Sequence, residues 1–139
     1  MNTELVRVGN ALDFGDLPLS AASRIDGVIH TAGILPIDPV SGALTGPDIE
    51  TQARSALSNL AMILESGRSS LDRVGIVRIF LTDIEADLEG FNRVYAEFFP
   101  VHHPARYAIG VRLARPEWKV EIQAAAGCDD MQGPSYAGR

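Results

Sequence analysis

The 139-residue chain carries 12 Lys and Arg against 18 Asp and Glu, a formal net charge of −6, with 46% hydrophobic and 22% charged residues. That is ordinary for one globular domain burying about two-thirds of its unfolded surface, and a single lysine, Lys119, argues against a general nucleic-acid binder, which needs clustered positive charge. No apolar run approaches the ~20 residues of a membrane helix, MNTELVRVG lacks a secretory pattern, and the lone Cys128 excludes an intrachain disulfide, so a cytoplasmic protein is expected.

Leu5, Val6 and Val8 beside Gly9 read as a short first strand, and Asn10 to Ser23, without a clear period, as a loop. Gly27 to Leu35 (GVIHTAGIL) reads as a strand ended by Pro36 and Asp38-Pro39. Asp48 is placed to cap a helix whose apolar residues Ile49, Ala53, Ala56, Leu57, Leu60, Ile63 and Leu64 recur at i, i+3/i+4, with Gly67 as its stop. Val74 to Thr82 (VGIVRIFLT) is nearly continuous in hydrophobicity, which fits a central strand buried on both faces. Asp83 to Asp87 reads as an acidic turn before a second helix, Leu88 to Phe99, with Leu88, Phe91, Val94, Tyr95, Phe98 and Phe99 on its apolar face.

Pro104 to Ala126 is the most patterned stretch. Ala105, Tyr107, Ile109, Val111 and Leu113 alternate with Arg106, Ala108, Gly110 and Arg112; the phase then reverses, with Trp118, Val120, Ile122, Ala124 and Ala126 apolar. Period 2 on both sides of a short connector predicts a β-hairpin with Leu113 opposite Trp118. In that register Arg106 and Glu121 share the second face with small residues, their Cα atoms roughly 13 Å apart. One small substrate would then be gripped by both only if a second subunit supplied one of them; alternatively Glu121 pairs with its neighbours Arg112 or Lys119. The chain reads as a single domain over residues 1–127 with a flexible tail, 128–139. Its order is β-β-α-β-α-β-β, an α+β mixed sheet with two helices on one face. The opposite face is left bare, which calls for a symmetric homo-oligomer.

Phosphate-loop, dinucleotide, nucleophile-elbow and C-x-x-C patterns are absent from the sequence. Adjacent His102 and His103 would diverge and make a poor metal pair, so a turn is expected there and no metal. His30 reads as a hydrogen-bonded structural histidine, and Cys128 lacks a partner base. Arg106 and Glu121 remain as candidates, with Asn92 on the second helix as a further polar contributor.

At these residues the chain resembles the Rid family (RidA/YjgF, L-PSP endoribonuclease-like) from about Gly27 to Ala126. The markers are AGILPIDPVSGAL, DIETQARSALSNLAMILESG, IFLTDI, FNRVYAEFF, and PAR followed by KVEIQAAA. The resemblance implies a fold like chorismate mutase of the AroH type, a homotrimer with sites between subunits, and hydrolysis of reactive enamines and imines such as 2-aminoacrylate to a 2-keto acid and ammonia, with no cofactor. It assigns the substrate carboxylate to Arg106, water handling to Glu121, a polar contact to Asn92 and a close backbone approach to Gly33. Leu19, Ala32 and Ala108 stand where the RidA pattern has tyrosine, serine and cysteine, which implies a less polar pocket accepting larger, more hydrophobic imines. Two other classes remain open. A non-catalytic small-carboxylate-binding regulatory trimer would gain nothing from Glu121, and an endoribonuclease sits poorly with the acidic balance.

Overall fold

The computed structural model describes residues 2–15 and 17–129. Its elements are β1 (Thr3–Val6), β2 (Ala22–Ile25), β3 (Val28–Thr31), α1 (Ile49–Ser66), β4 (Val74–Leu81), α2 (Ile84–Phe98), β5 (Ala105–Gly110) and β6 (Val120–Gly127). The strands form one six-stranded sheet in the order β1-β2-β3-β6-β4-β5, antiparallel throughout except for the β4–β5 pair. Both helices cover one face, as expected from the sequence.

The sequence expectation omits one strand, β2. Its inward residues are Ala22 and the buried Arg24, so it shows no apolar alternation. The usable signal is Asp26-Gly27: both residues have positive φ, 50° and 79°, and close a two-residue β2–β3 hairpin between Ile25 and Val28. Helix α1 runs as predicted, capped by Asp48, whose side chain accepts from the Thr51 N–H. Its left-handed terminal residue is Arg68 (φ 62°) and not Gly67. Gly67 is small for a different reason, since a Cβ there would collide with Ile29 Cδ1. Helix α2 starts earlier than predicted: Asp83 caps it through the Ala86 N–H, and Glu85 and Asp87 fill its first turn, where the helix dipole favours carboxylates.

The largest correction concerns the predicted hairpin. β5 and β6 do not pair; β4 lies between them, parallel to β5 and antiparallel to β6. The reason lies outside the alternating runs. Residues 111–119 cross the end of β4, where Val111 N–H donates to Leu81 O and Thr82 N–H to Lys119 O. Fully buried Gln52 of α1 fastens this crossover, donating from Nε2 to Gly46 O and Glu117 O and accepting the Lys119 N–H. Leu113 and Trp118 therefore belong to no strand.

The new register also divides the faces differently. Val77, Ile79 and Leu81 point into the helix-covered core with Val120, Ile122 and Ala124. Arg106, Ala108 and Gly110 pair with Val77, Ile79 and Leu81 and so lie on the helix side. Ala105, Tyr107 and Ile109 lie on the bare face with Ile76, Arg78, Phe80 and Glu121, so β4 is covered on one side only. Cys128 and Asp129 belong to the folded unit and not to a tail: Cys128 is buried, and Asp129 pairs with Arg73 at 2.9 Å. The rest of the expected flexible tail, 130–139, lies outside the described residues.

Candidate functional site

Edge strand β5 carries Arg106 toward α2. Its Nη2 donates to Asn92 Oδ1 at 2.7 Å, and the guanidinium carbon lies 4.6 Å from the ring centre of Tyr95 and 5.9 Å from that of Phe91. Among the described residues no carboxylate pairs with it. Ala108 stands on the same face, partly buried against the core. Arg106, Asn92 and Ala108 thus form one group, a fixed cation beside small wall residues.

Glu121 belongs to a second group on the bare face. Between the pairs His30–Ala125 and Ile34–Ile122, the β3 side advances four residues against three in β6, which makes a bulge. Gly33 sits in that bulge, and a Cβ on it would lie 2.9 Å from Glu121 Cδ and nearer still to Oε2. Only glycine lets the carboxylate lie against the backbone. Glu121 is half-buried and has no hydrogen bond or ion pair among the described residues, and burial pushes its carboxyl above the usual range. Pairing with Lys119 does not occur, because Lys119 Nζ stands 3.7 Å from Asp87 Oδ2; Arg112 is exposed and forms no ion pair with Glu121.

Leu19 and Ala32 line one cavity of about 370 Å³ on the bare face, with Leu5, Pro18, Ala22 and His30 among its walls. Within the chain the predicted residues therefore fall into two separate groups. Arg106 and Glu121 are on opposite faces, three residues apart along β4 and one strand to either side of it, or roughly 14 Å between Cα atoms. A larger cavity of about 560 Å³ between the ends of α1 and α2, lined by Phe98, Leu71 and Val101, contains none of them.

His102 Nε2 lies 2.6 Å from Val74 O, a structural contact in the turn before β5. His30 is exposed and its side chain makes no hydrogen bond among the described residues, contrary to the structural role expected. No cluster of three or more metal-ligating side chains occurs among the described residues. The residue that sequence reasoning passed over is Tyr95. Its spacing with Phe91 and Phe99 reads as an ordinary apolar stripe, and only the packing shows a cation on its ring.

Comparison with known proteins gives concordant results. The family model described as endoribonuclease L-PSP matches residues 16–128. The 3-aminoacrylate deaminase RutC of Acinetobacter baylyi is 37% identical over 109 residues, 78% of this chain and 86% of the relative. Among solved structures, the Rid-family protein YyfA of Yersinia pestis superposes with a TM-score of 0.82 at 29% identity, covering 91% of this chain and 99% of the other. Yeast Mmf1 gives 0.81 at 26% identity over 92% and 100% of the two chains. A family model spanning most of the chain and a relative of this identity place the protein in the endoribonuclease L-PSP family, which includes the YjgF and Rid proteins.

Proposed function

We propose that this protein hydrolyses carboxylate-bearing enamines and imines to carbonyl acids and ammonia, in sites assembled between the subunits of a homotrimer. The observation that carries this reading is a pair of unmatched charges. Arg106 and Glu121 are both half-buried, and neither has an ionic partner among the described residues. Burying an unpaired charge is costly, so each has a use outside the protomer's own stability. Their separation within one chain favours a site shared by two subunits, with Arg106 at the β5 edge of one meeting Glu121 on the bare sheet face of the next.

In such a cleft Arg106 holds the substrate carboxylate by two parallel charge-assisted hydrogen bonds, which orient the C=N bond. For 2-aminoacrylate the enamine first tautomerises to the imine. Water then adds to the imine carbon as Glu121 takes one of its protons and passes it to the nitrogen, giving the carbinolamine; Glu121 next takes the hydroxyl proton and delivers it to the nitrogen, so that the C–N bond breaks, the C=O bond forms and ammonia leaves. A carboxyl held above its ordinary range by burial suits this exchange, since it is a stronger proton acceptor than an exposed carboxylate. The reaction requires no redox change. The cavity of Leu19 and Ala32 next to Gly33, whose walls mix Leu5 and Pro18 with Ser20, Ser23, His30 and Thr31, has Leu19 and Ala32 as the wall that adds a preference for substrates with larger apolar side chains.

The test is ammonia release from 2-aminoacrylate and from 3-aminoacrylate generated in situ, beside RNA cleavage by the same preparation. Release above the uncatalysed rate with intact RNA is expected. RNA cleavage without ammonia release would overturn the proposal, and keto-acid binding without turnover would leave a carboxylate-binding regulator.

A further inference from the structure

We propose that Tyr95 is the positioning residue of the Arg106 clamp: its ring is the shelf over which the guanidinium is held and does the work a counter-carboxylate would otherwise do. This deepens the reading of Arg106 as the substrate-carboxylate ligand and rests on it.

Three observations converge on Tyr95. Its ring centre is 4.6 Å from the guanidinium carbon of Arg106, a distance at which the ring's negative face attracts the cation. The ring is itself fixed: Phe91 lies one turn before it on α2 and Phe99, the residue capping α2, follows it, with ring centres at 5.8 and 4.7 Å, and Tyr95 is only 8% exposed. Lastly, the Tyr95 hydroxyl is buried with no hydrogen-bond partner among the described residues. The residue therefore contributes its ring to the protomer and not a hydrogen bond.

The arrangement has a functional consequence that a salt bridge would not. A carboxylate partner would orient Arg106 but occupy the N–H pairs that an incoming carboxylate needs. The aromatic face orients the guanidinium from below, Asn92 Oδ1 accepts from one edge at 2.7 Å, and the remaining N–H groups and the full positive charge stay available. Stacking also favours arginine over lysine here, because an ammonium has no plane to lay on the ring.

Tyr95→Leu removes the shelf and Tyr95→Phe keeps it. The leucine variant is expected to weaken pyruvate binding, measured by calorimetry, roughly tenfold. For the deaminated substrate it should raise KM by a similar factor and change kcat much less, because the shelf acts on binding. Tyr95→Phe should restore both. A second measurement does not depend on activity: ¹⁵N-detected spectra of the arginine side chains should show an Arg106 Nε–H resonance displaced by the ring in the wild type and the phenylalanine variant, and relaxed toward the ordinary position in the leucine variant. Wild-type pyruvate affinity and an unmoved Arg106 resonance in Tyr95→Leu would overturn the proposal. So would a loss in Tyr95→Phe as large as in Tyr95→Leu. If instead no form turns over an imine, the deaminase reading fails while binding and spectra still decide the role of Tyr95.

Discussion

Arg106 and Glu121 are both charged and partly buried, yet their removal has different consequences. Losing two charge-assisted hydrogen bonds to a substrate carboxylate should lower kcat/KM on the order of 10²–10⁴-fold. Arg106→Ala is expected to do this, and Arg106→Lys to recover little, since an ammonium cannot make the planar two-point contact. Steady-state kinetics on an amino-acid-oxidase-generated imine decide it, and full activity in the alanine variant would remove Arg106 from the site. Glu121→Gln should retain keto-acid binding while turnover falls by ~10²–10⁴-fold. Burial raises the Glu121 carboxyl, so the acidic limb of the kcat/KM profile should lie above the usual carboxylate range, activity falling as the base is protonated. The same shift fixes the sign for stability. The protonated form is favoured in the fold; that contribution is fully present below the unfolded-state value and is lost as pH rises through the raised one. Glu121→Gln should therefore melt above the wild type near about pH 8, with the difference closing toward about pH 4. An unchanged difference across that range would show that Glu121 is not a desolvated carboxylate. For Leu19 and Ala32, a wall gaining one or two methylene contacts shifts preference by about 1–3 kcal/mol each. Imines of leucine or phenylalanine should then outcompete that of alanine in kcat/KM.

At the scale of elements, the crossover between β5 and β6 decides the site, because it places Arg106 on the helix side of the sheet. It is held by the buried amide of Gln52, which no apolar pattern marks as important. Gln52→Leu preserves helix propensity and volume but leaves the Lys119 N–H and the carbonyls of Gly46 and Glu117 without their partner. The expected cost is about 2–4 kcal/mol, read from urea unfolding as a lower midpoint at unchanged slope. A loss below half a kcal/mol would mean that the crossover keeps its path without the clamp. The β2–β3 turn is the converse case, since Asp26-Gly27 is legible in the chain once the pair is read as a two-residue hairpin loop.

At the scale of the whole molecule, the face opposite the helices exposes large apolar side chains, with Leu5 60%, Tyr107 44%, Ile109 43% and Val28 38% exposed. An apolar sheet face is an association surface. Light scattering is expected to give three times the chain mass at micromolar concentration, and a monomer would rule the intersubunit site out. Ile109→Asp, which places a charge on that face, should dissociate the assembly and abolish turnover together. Gly110 is unsuitable for that test although the sequence alone puts it on the same face: a Cβ there would lie 3.2 Å from Ile84 Cγ2 of α2. A bulky residue at Gly110 would instead strain the packing of α2.

Features written in local periodicity or in single side chains are legible in the chain alone. They include helix α1 with its Asp48 cap, the apolar run of β4, the two alternating segments, and the candidates Arg106, Glu121 and Asn92, which the family markers single out. The family markers also pick out Gly33 as a close backbone approach, but only the fold shows the Glu121 carboxylate lying against it at the bulge. Strand order and side were decided only in three dimensions. An alternating run is equally compatible with an adjacent partner or with one across an intervening strand, because period 2 fixes which residues share a face and not which face is covered. The buried Gln52 and the insertion of β4 made that choice, sending Arg106 to the aromatic shelf of α2 and leaving Glu121 on the open side. Tyr95 was invisible for the same reason: an aromatic at helical spacing reads as core until the cation stacked on it is seen.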